Sequence, residues 1–180
     1  MKRPRGSFWE KTFPLLELKG LGTRDFLQGQ TTSDILKFKE GEIFPTCLLS
    51  PTGRVKAILE IRLKGEGAGI LALAGASDEI ISSFERVIFP ADKVEILSIE
   101  RIRRIQILYP SGNDYFKEVF WLNKDDTLPG ELRDFEQATN DQYEIWRLEQ
   151  GFPSGSREIN GETNPFELGL SNLVDLNKGC

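Results

Sequence analysis

The feature of this sequence that most suggests chemistry is a carboxylate on an apolar helix face. The stretch from about Asn140 to Gln150 reads as a helix, with Asn140 as its cap, stopped by Gly151 with Pro153 beyond. Ile145, Trp146 and Glu149 then fall on one side, because residues four apart are one turn apart. Ile145 and Trp146 are expected to face the core, and a carboxylate on that stripe is costly unless it has partners. Glu149 also sits in the last turn, beside the negative end of the helix dipole, at a further cost of up to ~1 kcal/mol. Two readings remain open on this ground: a structural salt bridge to Arg147 or Arg157, or a functional carboxylate.

The remaining reactive side chains are few. The chain has 180 residues and no histidine, which excludes Ser-His-Asp triads, His-paired cysteine nucleophiles and His metal sites. No metal site is expected. Of its two cysteines, Cys47 lies within an apolar run and reads as a small buried hydrophobe. Cys180 follows Lys178-Gly179, and a nearby ammonium favours a thiolate. Two cysteines make no disulfide framework and suit a reducing cytoplasm. Arg101, Arg103 and Arg104 read as a solvated strand face rather than an anion site. Gly65-Glu66-Gly67-Ala68-Gly69 lacks the ending of a phosphate loop, and Gly20-Leu21-Gly22 lacks dinucleotide spacing, so both are turns. With 23 Lys+Arg against 28 Asp+Glu the net charge is −5, without the bulk positive footprint of a duplex-binding protein. No stretch approaches the ~20 apolar residues of a membrane helix, and the basic start, Met1 to Arg5, is followed by no secretory apolar region.

The elements that must position these residues follow from periodicity. Phe13 to Leu18 reads as a strand with Pro14 at its edge or start, and Thr23 as the cap of a short helix carrying Phe26 and Leu27 inward. Ile43 to Leu49 and Val55 to Leu63 flank Ser50-Pro51-Thr52-Gly53 as a hairpin, and Ile70 to Leu73 is a third strand. Ser77 opens a helix in which Ile80, Ile81, Phe84, Val87 and Ile88 recur at three and four. Val94 with Ile96, and Ile102 with Ile105 and Ile107, give two further strands; Val119 to Leu122 is a short one. The fold class is therefore α+β, antiparallel sheets with packed helices. The last thirty residues, rich in Gly and Pro, read as a segment wrapping over the rest.

Several segments, in order, resemble YgfZ-type folate-binding proteins, relatives of the aminomethyltransferase (T-protein) of glycine cleavage. They are Leu18 to Asp34, including Gly29-Gln30-Thr31-Thr32-Ser33-Asp34; Ser50-Pro51-Thr52-Gly53-Arg54-Val55; Arg147-Leu148-Glu149-Gln150-Gly151-Phe152-Pro153; Asn164-Pro165-Phe166-Glu167; and Lys178-Gly179-Cys180, which looks like the opening of the signature Lys-Gly-Cys-Tyr-x-Gly-Gln-Glu. The resemblance implies a T-protein/YgfZ-like folate-binding fold with a ferredoxin-like ββαββ-type middle subdomain. Residues 1–42 with 110–180 would form a discontinuous first subdomain and 43–109 an inserted one, without the family's C-terminal β-barrel. It implies tetrahydrofolate or a derivative as cofactor, with Glu149, Arg147, Gln30 and Thr31 binding it, and Cys180 and Lys178 as candidate catalytic groups. Glu149 falls where T-proteins hold the pterin, whose ring N–H and exocyclic amine form a parallel donor pair that one carboxylate can accept. The implied role is support of iron–sulfur cluster assembly or repair, through client or assembly proteins that include radical enzymes of tRNA modification. The alternatives are a folate-dependent aminomethyltransferase and an interaction module without ligand. Against aminomethyl transfer, Lys56 and Ala57 stand where T-proteins carry an aspartate.

Overall fold

The computed structural model describes residues 6–109, 115–153, 155 and 157–178. The chain forms two compact units, residues 1–13 with 101–152 and residues 14–100 with 153–180. Two long strands, β1 (Ser7–Lys19) and β5 (Glu95–Leu108), each contribute to both. Pro14, expected at a strand edge or start, lies inside β1, where the strand passes from one unit to the other. The two strands expected between Val94 and Ile107 are the single strand β5.

The larger unit is a meander. Strands β2 (Ile43–Leu49), β3 (Val55–Lys64) and β4 (Gly67–Ala74) pair antiparallel in sequence order, and β4 pairs antiparallel with β1 from Leu15↔Leu71 to Lys19↔Gly67. In β3 the period of two sends Ala57, Leu59, Ile61 and Leu63 into one core, together with Phe44 and Leu48 from β2. Helices α1 (Thr23–Gln30) and α2 (Ser77–Glu85) close that core with Phe26, Leu27, Ile80 and Phe84, and the Phe26 and Phe84 rings meet edge to face at 5.5 Å. Phe26, Leu27 and Ile35 share this core with the hairpin, and residues 14–42 group with 43–100. Gly20 and Gly22 are packing glycines. A Cβ would stand 1.9 Å from Lys93 O at Gly20 and 1.7 Å from Asp92 O at Gly22. Thr23 is the first helical residue rather than the cap, and its hydroxyl donates to Gly20 O.

The smaller unit holds β6 (Val119–Leu122), antiparallel to β5 from Arg103↔Leu122 to Gln106↔Val119. It also holds the two-residue β7 (Glu136–Gln137), parallel to the start of β1, and helix α3 (Asn140–Glu149). Phe8, Ile105, Ile107 and Leu132 form one apolar cluster. A second cluster is aromatic: Trp9 stacks on Tyr143 at 3.6 Å, Tyr115 on Phe152 at 3.6 Å, and Trp146 Nε1 donates to Tyr109 O at 2.7 Å. Helix α3 starts one residue earlier than its apparent signal. Thr139 is the cap, in a capping box with Gln142, while Asn140 accepts from Trp9 Nε1.

Arginine placement on β5 departs from the expectation of a solvated face. Arg101 is exposed and Arg103 pairs with Glu10 at 2.6 Å, but Arg104 is fully buried. Its guanidinium donates to Gln106 Oε1 at 2.9 Å and lies 5.7 Å from the Tyr115 ring centre. Cys47 is fully buried, and burial pushes its thiol up to about 12.

Candidate functional site

The C-terminal end of α1 is where several of the expected site residues meet. The helix is short and ends at Gln30, because Thr31 turns extended at φ −122°. Thr31 fastens this turn twice, its N–H and hydroxyl both donating to Leu27 O, at 3.0 and 2.8 Å. Residues 31 and 32 then run beside the edge of β2. Thr32 N–H donates to Cys47 O at 3.1 Å, and its hydroxyl accepts from Cys47 N–H at 2.9 Å. The segment from 153 onward is stitched along the same region. Thr32 hydroxyl donates to Leu173 O at 2.6 Å, Asp175 N–H donates to Thr32 O at 2.9 Å, and Lys37 pairs with Asp175 at 2.6 Å. Lys37 and the Asn177 N–H hold the Asp175 carboxyl below its ordinary value, and Asp175 raises Lys37 in turn.

Lys178 completes this arrangement. Its ammonium donates to Gln28 O and to Thr31 O, carbonyls at the negative end of α1. The structure thus brings Gln30, Thr31 and Lys178 together. Cys180 lies outside the described residues.

Gln30 and Thr31 line a cleft of about 410 Å³ in the larger unit. Its other walls come from the β2–β3 turn (Leu49, Ser50, Pro51), from Lys56 at the start of β3, and from Ser83, Arg86 and Val87 at the end of α2. Its lining combines the apolar Leu48, Leu49, Pro51 and Val87 with the cations Lys56 and Arg86. Arg86 and Lys56 as lining residues were not read from the sequence. The available signal was Lys56 itself, a cation one residue into a strand whose next five residues, Ala57 to Ile61, are all buried.

The α3 residues sit differently. Tyr143, Trp146 and Arg147 form the buried face of α3, whereas Ile145, Leu148 and Glu149 are exposed. The expectation that Ile145 and Glu149 lie on the core face is corrected: the aromatic contacts of Tyr143 and Trp146 set the helix rotation, and Ile145 falls outside it at 60% exposure. Glu149 therefore carries no burial cost and needs no ion pair. Arg147, expected to bind cofactor, is committed to the fold. Its guanidinium donates to Phe152 O and to Glu144 Oε2 at 2.9 and 3.1 Å, fastening the chain as it leaves the helix through Gly151 at φ +67°. What α3 presents outward is a carboxylate beside two exposed aliphatic side chains.

Among the described residues no group of carboxylates and cysteines has the makings of a metal site, and no helix is long and apolar enough to cross a membrane.

The chain matches no family model. It is similar to the Arabidopsis thaliana protein named "Putative transferase At1g60990, chloroplastic", with 25% identity over 213 residues that cover 93% of this chain and 49% of the other. Its fold is similar to that of the glycine cleavage system aminomethyltransferase T from Bartonella henselae. The TM-score is 0.70 at 16% identity, over 97% of this chain and 59% of that one. The α+β antiparallel architecture is thus the one found in aminomethyltransferase T. The chain spans about half the length of the curated relative it matches.

Proposed function

We propose that this protein binds a reduced folate, with the pterin hydrogen-bonded to Glu149. The observation that carries the reading is the outer face of α3: a solvent-exposed carboxylate beside Ile145 at 60% and Leu148 at 62% exposure. A flat heteroaromatic ring satisfies that face as water does not. Its apolar surface covers the aliphatic side chains, and its paired N–H donors meet both carboxylate oxygens. The similarity in fold to an aminomethyltransferase T makes a folate the economical choice of ring.

The finer role we infer is that of a YgfZ-like factor supporting iron–sulfur cluster assembly or repair, and through it radical enzymes of tRNA modification, in the cytoplasm. It is supported by the ordered motifs from Leu18 to Cys180 and by Lys56, a cation where an aminomethyltransferase needs an acid. Aminomethyl transfer is not part of this reading. Calorimetric titration with tetrahydrofolate and its formyl and methyl forms tests binding, and saturable binding of at least one form is expected. A transfer assay with aminomethylated carrier protein should give no methylene transfer above background; turnover would revive the transferase reading.

A further inference from the structure

The segment from 153 onward carries a residue pair with a reactivity of its own. Asn160 is the only asparagine of the chain followed by glycine. A glycine has no side chain to hinder its own nitrogen, so that nitrogen can reach the preceding asparagine amide and close a five-membered imide. Asn160, Gly161 and Glu162 are all solvent-exposed. Gly161 has φ +78°, and nothing lies within 4 Å of where a Cβ would stand. Among the described residues its N–H enters no hydrogen bond. The nitrogen is therefore neither tied into the fold nor screened by it.

Glu162 holds the Asn160 amide from both ends. Its backbone N–H donates to Asn160 Oδ1 at 3.0 Å, and its carboxylate accepts from Asn160 Nδ2 at 3.1 Å. The first bond closes an Asx turn, which folds the side chain back across the Gly161 peptide. It also points at the oxygen on which charge grows when a nucleophile adds to Cγ, as an oxyanion-stabilising donor does. Asn164, in the same segment, is an internal control. Its Oδ1 likewise accepts from the N–H two residues on, that of Phe166, at 2.9 Å, and from Glu167 N–H at 3.0 Å. The residue that follows it is Pro165, whose nitrogen has no hydrogen to lose. The amide geometry is shared and the nucleophile is missing.

We propose that Asn160 is a self-modification site, which the folded loop presents to deamidation instead of protecting. Gly161 N gives its proton to solvent hydroxide and bonds to Asn160 Cγ. The Cγ–Nδ2 bond breaks, Nδ2 takes up a proton and leaves as ammonia, and a succinimide remains. Water then opens either imide carbonyl, leaving an aspartyl or an isoaspartyl residue at position 160. One water is consumed and one ammonia released, with no change of oxidation state. The product loses the Nδ2 bond to Glu162 and sets a second carboxylate beside it. The isoaspartyl form also adds a methylene to the backbone three residues before Thr163. Thr163 O accepts from Val55 N–H at 2.9 Å and so fastens the segment to the start of β3. Conversion loosens this fastening.

The test is a time course of the full chain at mildly alkaline pH, folded and in urea. Conversion is read by peptide mass spectrometry as the gain of one mass unit, and the isoaspartyl share by isoaspartyl-specific carboxyl methylation. The expected result is conversion at Asn160 while Asn164 in the same digest stays unconverted. The folded rate should be no more than about threefold below the rate in urea. A slower folded rate would show that the loop protects the amide, and overturns the proposal. Gly161→Ala, with circular dichroism and the urea midpoint checking its fold, should slow conversion about tenfold in urea as well as in the folded chain, because a methyl group then hinders the nitrogen. An unslowed Gly161→Ala overturns the imide route. Hydrogen exchange at the Val55 amide should quicken in the isoaspartyl fraction and stay at the starting rate in Asn160→Gln incubated alongside. Unchanged exchange in the isoaspartyl fraction overturns the loosening.

Discussion

The outer face of α3 and the C-terminal end of α1 handle their charged groups in opposite ways. On α3 the arginine is buried and the carboxylate exposed: Arg147 fastens Phe152 O and Glu144, while two residues on, Glu149 faces solvent. At the end of α1 the cation Lys178 is spent on the carbonyls of Gln28 and Thr31, and the neutral Gln30 is left along the cleft. Adjacent members of one sequence motif can thus divide between holding the chain and facing solvent. A motif match such as Arg147 to Pro153 does not by itself say which residue does which.

The largest expected effect separates Arg147 from Glu149. Arg147→Ala removes a buried guanidinium and leaves Phe152 O without its donor, so it should cost about 2–4 kcal/mol of stability, read as a fall in the urea midpoint. A loss below 0.5 kcal/mol would mean that the guanidinium is not a fastener. Lys178→Met strips a cation from the end of a helix and should cost about 0.5–1 kcal/mol by the same measurement. An unchanged midpoint would remove Lys178 from the α1 terminus.

Cys47 sharpens the comparison from the core side. With its thiol at about 12, labelling by a maleimide at pH 8 should be slow in the native protein and fast in urea. Equal rates would show the β2 edge opening freely beneath Thr31 and Thr32. The smallest effect concerns the tie between Lys37 and Asp175. The Asp175 carboxyl is lowered in the folded chain, so its contribution is present above the ordinary aspartate value and lost as pH falls through the folded one. Susceptibility of the 157–178 segment to an acid-active protease should therefore rise only in that acidic range, and Asp175→Asn should abolish the rise.

Much of this architecture was legible in local pattern. Strand β2 and the start of β3 follow from the Pro51–Gly53 turn between apolar runs, and α2 from its three-and-four spacing. What could not be read locally was set by partners distant in sequence. Arg104 looks like one of three surface arginines until Gln106 and Tyr115 receive it. The α3 sequence supports two apolar stripes, Ile145 with Leu148 or Tyr143 with Trp146. The choice is made by Trp9, some 130 residues away, stacking on Tyr143. Glu149 reads from the sequence as a carboxylate on the core face, whereas the structure exposes it beside Ile145 and Leu148. The cleft lined by Lys56 and Arg86 is not legible in the sequence, because the two come from different elements and neither belongs to a spacing motif.

Folate binding through Glu149 is the central claim, and one substitution tests it. Glu149→Gln keeps the shape of the side chain but turns one acceptor into a donor. On an exposed position it should leave the urea midpoint within about 0.5 kcal/mol, while weakening tetrahydrofolate binding by ~1.5–3 kcal/mol in calorimetry. Equal affinity of the folded variant and the wild type for tetrahydrofolate would contradict the account and remove Glu149 from the site.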